Sequence, residues 1–111
     1  PLIDIPKMAE ITKTMLRDAI DGFIQMNTDL ARKVLNSDDM IDELNRKVVD
    51  ELVEVMQKNP ETITEALELI RISRNLERVA DLATNIAEEV IFMAEARVVK
   101  HHADATRTGT S

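Results

Sequence analysis

The stretch LERVADLATNIAEEV, residues Leu76–Val90, decides the fold of this chain because it is an uninterrupted amphipathic pattern. Its leucine, valine, isoleucine and alanine residues recur three and four positions apart, which predicts a helix with one buried side. Glu77 and Asp81 are four residues apart, so they share a helix face and lie beside the apolar stripe. Asn85 follows one turn later. The stretch therefore predicts a packed helix that carries carboxylates at the margin of its packing surface.

The composition predicts a small helical bundle. The chain has 111 residues, enough for one domain with one core. It is 44% hydrophobic and 32% charged, with only 2 glycines and 3 prolines, which is typical of packed helices. Phe23 and Phe92 are the only aromatic residues, so the core must be built from aliphatic and methionine side chains.

The charge and the missing residue types exclude several functions. A net charge of -7 argues against nucleic-acid binding, which needs a basic surface, and fits attraction to metal cations or to a basic protein surface. The absence of cysteine excludes disulfides and thiolate chemistry, and we predict a cytoplasmic protein. No apolar run is long enough to span a bilayer, so no membrane insertion is expected. A chain that begins at Pro1 is expected to be a fragment or a processed form.

The hydrophobic pattern predicts three helices at residues 6–35, 38–59 and 60–99. Asn36 and Ser37 interrupt the first stripe, and Ser37 is the predicted N-cap of the second helix. Pro60 ends that helix because the residue before a proline disfavours helical backbone angles. Short connections make neighbouring helices antiparallel. We therefore expect an all-α, up-down-up three-helix bundle over residues 1–100, with residues 101–111 as a disordered tail.

The predicted third helix has more apolar surface than two partner helices can bury. Its apolar residues cover about two thirds of the circumference at helical spacing. This surplus predicts a further partner, either another subunit or a second bundle. The residues concerned are Leu69, Ile72, Leu76, Val79, Ala80, Leu82, Ala83, Ile86, Ala87, Val90 and Met93.

Acidic pairs on two predicted helices point to a metal site. Asp38 and Asp42 have the same four-residue spacing as Glu77 and Asp81, and both pairs lie at the margin of an apolar stripe. Asp29 lies at a similar margin on the first helix. Carboxylates that meet across a bundle seam repel one another unless a proton or a cation intervenes. Oxygen ligands suit magnesium, manganese, calcium or iron.

Other interpretations of these acidic residues stay open. Arg74 and Arg78 could pair with Glu77 and Asp81 on the surface, each pair contributing about 0.3–0.5 kcal/mol. The chain could also be a purely structural dimerisation domain without metal. A carboxylate-bridged metalloenzyme is disfavoured because the predicted helices contain no histidine. We find no catalytic motif, and we predict no enzymatic activity.

The segment RNLERVADLATNIAEEV resembles the PhoU family of phosphate-uptake regulators. Glu77, Arg78, Asp81 and Asn85 match that family's E-R-x-x-D-x-x-x-N helix. Upstream, TDLARKVLNSDDMIDEL looks like the acidic entry to another family helix, carried by the residues Asp29, Asp38 and Asp42. The resemblance covers residues 8–98. It departs at Ala80, where the family commonly has glycine, and at Leu82, where the family often has a polar or ring residue.

The resemblance implies fold, ligands and partners. PhoU proteins contain two three-helix repeats, broadly similar to spectrin repeats, and this chain looks like one of them, the second; it would have to dimerise or be an excised piece. The family holds iron or zinc on its acidic motifs, which implies metal ligands at Glu77, Asp81, Asp38, Asp42, Asn85 and Asp29. It also implies a non-enzymatic, negative role in phosphate transport and phosphate-starvation signalling, with a phosphate ABC transporter and a sensor kinase as partners. The alternative is a PhoU-like domain of a sodium–phosphate cotransporter.

Overall fold

The protein folds as three long antiparallel helices in a bundle, as predicted. The structure, a computed structural model, describes the backbone of residues 4–110 and the side chains of residues 4–100, 102 and 103. The helices are α1 (Asp4–Gln25), α2 (Thr28–Lys58) and α3 (Ile63–Thr110), with one 3-10 turn at Pro60–Thr62. The bundle is a rod of 77 × 18 × 17 Å. The all-α, up-down-up architecture is therefore confirmed.

The first turn lies at Met26 and Asn27, ten residues before the predicted break. The Asn27 side chain caps α2, because its Oδ1 accepts hydrogen bonds from the backbone N–H groups of Asp29 (3.0 Å) and Leu30 (3.2 Å). Gly22 allows this close reversal, since a Cβ there would lie 3.2 Å from the carbonyl oxygen of Asn27. The predicted boundary at Leu35 was wrong.

Asn36 and Ser37 instead lie inside α2, on its outer side. The Ser37 hydroxyl donates to the carbonyl oxygen of Lys33, one turn earlier, at 3.1 Å, so Ser37 does not cap the helix. The sequence pattern does not indicate the turn at Asn27, because Met26, not glycine, occupies the position after α1. The correction matters for Asp38, which lies in the middle of α2. Attraction to a helix N-terminus cannot explain an acidic residue there.

The second turn follows the sequence prediction closely. α2 ends at Lys58, and Asn59 precedes Pro60 as expected. The Thr62 hydroxyl donates to the carbonyl oxygen of Asn59 at 2.7 Å and closes the 3-10 turn. α3 then begins at Ile63, three residues after the predicted start. The reversal brings α3 back along α2 and forms the seam on which the acidic pairs lie.

Small residues on α3 let the helices pack closely. Ala66, Ser73, Ala80 and Ala87 recur every seven residues and are almost completely buried. A seven-residue repeat keeps one side of a helix facing its neighbours over many turns. Larger side chains from the other two helices fill the space opposite, and the most buried of them are Met8, Met15, Val34, Ile41 and Val48.

α3 extends well beyond its predicted end near Val99. Its backbone continues to Thr110, and no proline interrupts it. The division into a domain at residues 1–100 and a disordered tail at residues 101–111 stays a prediction. The predicted surplus of apolar surface is visible at Ile72 and Leu82, which are 45% and 52% exposed on α3. Phe23 on α1 is also half exposed.

Candidate metal-binding site

The seam between α2 and α3 brings together acidic residues from both helices. Asp38 is half-buried on α2, and burial is the largest cause that raises the pKa of its carboxyl. The negative charges of Asp42, Asp81, Asp39 and Glu88, in that order, raise the pKa of Asp38 further. Two of these neighbours lie on α3. Acidic residues of the two helices therefore act on one another electrostatically across this seam.

One oxygen of Asp38 has no partner among the described side chains. Its Oδ1 is buried and accepts no hydrogen bond. Burying a carboxylate oxygen without a partner is unfavourable, so such an atom calls for a proton or a cation. Asp39 and Asp42 each have a carboxylate oxygen that, together with one from Asp38, forms a group within 4.8 Å. This is a cation-sized grouping of oxygen donors on one helix.

Glu77 extends the cluster onto α3. Burial contributes most to raising the pKa of its carboxyl, followed by a hydrogen bond with the Asp42 side chain and by the charges of Asp42 and Asp81. Arg74 acts in the opposite direction and lowers that pKa. Glu77 also accepts a hydrogen bond from Asn45 Nδ2 at 3.4 Å. The carboxylates of Glu77 and Asp42 are thus close enough to compete for one proton or one cation.

The other two predicted ligands lie differently. Asn85 is exposed on α3, one turn after Asp81, on the same side of the helix. Asp29 lies about 13 Å along the α2 axis from Asp38, at 1.5 Å per residue. Its side chain is 94% exposed and pairs with Arg32 at 3.7 Å. The structure therefore groups Asp38 with Asp42, places Glu77 beside Asp42, and leaves Asp29 apart from them. Asp81 acts on Asp38 and Glu77 through its charge.

The surface ion pairs considered as an alternative do not form at these positions. Among the described side chains, neither Arg74 nor Arg78 makes a salt bridge. On α3, Arg71 pairs with Glu68 at 3.9 Å instead. The acidic side chains of the seam are therefore not neutralised by direct contact with arginine.

A depression of about 430 Å³ opens beside Glu77 and gives solvent access to Asp42 and Glu77. Its walls come from both helices and carry charges of both signs. They are formed by Asp42, Asn45, Arg46, Val49, Asp50, Arg74 and Glu77. A small ion could reach the carboxylates from this side without opening the bundle.

The sequence interpretation left two kinds of residue out of the predicted site. Asp39 and Glu88 influence Asp38 but were not among the predicted ligands. Ser73 was not noticed at all, although it hydrogen-bonds to Asn45 within the seam at 2.6 Å. Its position in the sequence could have indicated this role, because Ser73 is the one polar residue in a seven-residue repeat of alanines on α3.

The donor set fits a hard or borderline cation. The available atoms are carboxylate oxygens, with amide oxygens nearby, and these are the ligands preferred by magnesium, calcium, manganese and iron. Zinc also accepts carboxylate oxygens. The unpartnered Asp38 Oδ1 and the raised pKa values of Asp38 and Glu77 are the features that a cation would relieve.

Comparison with known proteins gives consistent matches along the chain. The family model of the PhoU domain matches residues 5–90. The phosphate-specific transport system accessory protein PhoU homolog 1 of Thermotoga maritima is 40% identical over 98 residues, covering 86% of this chain and 42% of the relative. The PhoU homolog of Aquifex aeolicus is 41% identical over 101 residues, covering 91% of this chain and 46% of the relative.

The chain spans less than half the length of these relatives. The PhoU homolog of Pseudomonas putida shows the same proportion, with 34% identity over 99 residues that cover 89% of this chain and 39% of the relative. Within the described residues, no helix has the length and apolar character needed to cross a membrane.

Proposed function

The chain belongs to the PhoU family, and from that premise we propose that it is a metal-binding regulatory unit of a phosphate transport accessory protein. Its relatives carry the name of accessory proteins of a phosphate-specific transport system. The family match covers residues 5–90, which include nearly all of α1, all of α2 and the part of α3 that forms the acidic seam. The proposal assigns the unit a regulatory role and no catalysis, and the cytoplasmic location stays a prediction.

Four carboxylates hold the cation in this proposal. Asp38 and Asp42 on α2 and Glu77 and Asp81 on α3 would hold it, with Asn85 as a helper. The unpartnered, buried Asp38 Oδ1 is the single observation that carries the assignment. Bound iron or zinc supplies the positive charge that offsets the repulsion among these groups. We omit Asp29 from the set because it pairs with Arg32.

Regulation follows from the position of the site between two helices. Without a cation, the carboxylates of α2 and α3 repel one another across the seam, which weakens the contact between these helices. A cation that binds only the folded state lowers the free energy of that state and therefore stabilises it. We propose that the locked helix pair presents the surface that docks on a phosphate ABC transporter or its sensor kinase, and that this contact restrains phosphate import.

An apolar groove between α1 and α3 supports a further contact, with a second three-helix unit or a second copy of this chain. The groove is lined by Ile20, Phe23, Ile86 and Glu89. Phe23 is 50% exposed, and its burial would contribute about 25 cal/mol per Å² of apolar area. The relatives are more than twice as long as the matched region, which leaves room for a second unit. A structural dimerisation domain without metal is the alternative that this groove favours.

Metal content under matched charge changes tests the proposal. The full chain is purified without an affinity tag, incubated with Fe²⁺ or Zn²⁺, desalted and analysed for bound metal. The double variant Asp38→Asn, Glu77→Gln should lose the metal. The control Asp29→Asn, Glu54→Gln removes two exposed carboxylates outside the seam and should retain it. Equal metal in all three proteins, or none in the wild type, would eliminate the metal role.

The regulatory part has its own experiment. The wild-type chain, loaded with metal, is immobilised and exposed to detergent-solubilised phosphate transporter components and sensor kinase. We expect retention by the wild type and reduced retention by the double variant. Equal retention by both would show that docking does not depend on the acidic seam.

A further inference from the structure

Three helices meet at the buried hydroxyl of Ser73. Ser73 is fully buried on α3, and its Oγ donates a hydrogen bond to Asn45 Oδ1 on α2 at 2.6 Å. The same Oγ lies 3.4 Å from the Met8 sulfur on α1. A serine hydroxyl has one hydrogen, and a thioether sulfur is a weak acceptor. The short contact to the amide oxygen therefore takes the proton, and Met8 packs against the pair.

The Asn45 amide is fixed from both of its ends. Its Nδ2 donates to Glu77 Oε1, while its Oδ1 accepts from Ser73. An ionised carboxylate only accepts hydrogen bonds, so the NH2 end of the amide must face Glu77. A reversed amide would place its oxygen against the oxygen of Glu77. Ser73 therefore supports the one amide orientation in which Asn45 holds Glu77.

We propose that Ser73 and Asn45 are positioning residues, which hold the Glu77 carboxylate in place for a cation at the α2–α3 seam. The inference rests on the proposed metal-binding function. It adds two hydrogen bonds that connect Glu77, through Asn45, to Ser73 in the bundle core. Groups that hydrogen-bond to a metal ligand restrict the conformations of that ligand before the metal binds. Removing such a partner typically weakens metal binding by about 10- to 100-fold.

A double-mutant cycle on metal affinity tests the positioning role of Ser73 and Asn45. Zn²⁺ is titrated calorimetrically into the wild-type chain and into the variants Ser73→Ala, Asn45→Ala and Ser73→Ala, Asn45→Ala. We expect each single change to weaken binding about tenfold or more. Because Ser73 acts through Asn45, we expect Ser73→Ala to cause no further loss in the Asn45→Ala background. A merely structural serine would give additive losses.

Thr12→Val is the matched control. Thr12 is a second buried hydroxyl, 2% exposed on α1, and its Oγ1 has no hydrogen-bond partner in the described part of the chain. Replacing it removes a buried hydroxyl without touching the seam, so the Zn²⁺ affinity should equal that of the wild type. Circular dichroism and urea unfolding establish that each variant remains folded.

Each outcome has one meaning. If Zn²⁺ does not bind, the titration is repeated with Fe²⁺, and wild-type protein that binds neither ion overturns both the proposed function and this inference. Wild-type binding with unchanged affinity in Ser73→Ala, or with additive losses in the double variant, overturns the inference alone. If Ser73→Ala does not fold, Asn45→Ala decides, because Asn45 is only half-buried; a tenfold loss supports the inference and an unchanged affinity overturns it.

Discussion

The backbone N–H of Asn27 donates to the carbonyl oxygen of Gly22 at 2.8 Å, and this bond determines where the first helix ends. Met26 N–H bonds to the carbonyl oxygen of Phe23 at 3.4 Å, which completes a Schellman arrangement. Met26 has a φ of 52°, in the left-handed region. The chain then reverses, and Asp38 reaches the seam in the middle of α2 instead of at its start.

Met26→Gly should stabilise the protein. A non-glycine residue in the left-handed region costs about 1–2 kcal/mol, and glycine removes that cost. Part of the gain is lost because glycine makes the unfolded chain more flexible, by about 0.5–1 kcal/mol. We expect a net gain of about 0.5–1 kcal/mol in the free energy of unfolding, measured with urea. Met26→Ala removes the same side chain without relieving the backbone, and equal stability of the two variants would contradict the prediction.

Asn27→Ala should destabilise the protein by about 1 kcal/mol, because it removes the cap of α2. Asn36→Ala is the matched comparison, since Asn36 occupies an exposed position inside the same helix. Alanine is a better helix former than asparagine, so Asn36→Ala should leave stability unchanged or raise it by up to about 0.7 kcal/mol. Urea unfolding of both variants checks this. If Asn36→Ala were the less stable variant, the turn would lie at Asn36.

Stability without metal should depend on the protonation of the seam. The pKa values of Asp38 and Glu77 are raised in the folded protein, so the folded state binds these protons more tightly than the unfolded state. Their contribution is fully present below the ordinary carboxyl pKa of about 4. It is lost as the pH rises through the raised values. We therefore expect the free energy of unfolding in EDTA to lose this contribution as the pH increases above about 4.

The double variant Asp38→Asn, Glu77→Gln isolates this effect, because its amides do not titrate in this range. The free energy of unfolding of the wild type minus that of the variant, measured from pH 4 to pH 7, should decrease as the pH rises. A difference that stays constant across the series would show that these two carboxyls do not have raised pKa values.

A bound cation should raise the thermal midpoint of the wild type. At a free cation concentration of about 100 times Kd, the folded state gains about 2.7 kcal/mol. Asp81→Asn should lose most of this shift, because Asp81 is a proposed ligand whose negative charge acts on Asp38 across the seam. Asp29→Asn should keep it. Differential scanning calorimetry measures the thermal midpoints of the wild type and both variants with and without the cation. An equal loss of the midpoint shift in both variants would indicate that Asp29 is a ligand.

The groove between α1 and α3 should promote self-association. We expect the wild-type chain to sediment as a dimer in analytical ultracentrifugation, and Phe23→Glu to shift it towards monomer, because a buried charge without a partner is costly. Val53→Glu is the matched control, since Val53 is exposed on α2, outside the groove. If the wild type is a monomer at every concentration, a second copy of this chain does not occupy the groove. A second three-helix unit is then the one remaining occupant.

The acidic site was partly predictable from the amino-acid sequence. The four-residue spacing of Asp38 with Asp42, and of Glu77 with Asp81, keeps each pair on one helix face whatever the surroundings. That relation survived even though the first turn was predicted ten residues too late. Asp29 was included because it was assigned to the first helix. With the turn at Asn27, it lies at the start of α2, far from Asp38 along the axis.

The amino-acid sequence by itself determined the helical character, the number of helices, the turn at Pro60 and the pairing of carboxylates along each helix, because these depend on interactions between residues close in the chain. The tertiary structure alone decided which pairs meet, which oxygen is left without a partner, and that Met8, Asn45 and Ser73 converge at one point. Burial, charge repulsion and hydrogen bonds between helices depend on distances through space, and no local pattern specifies those distances.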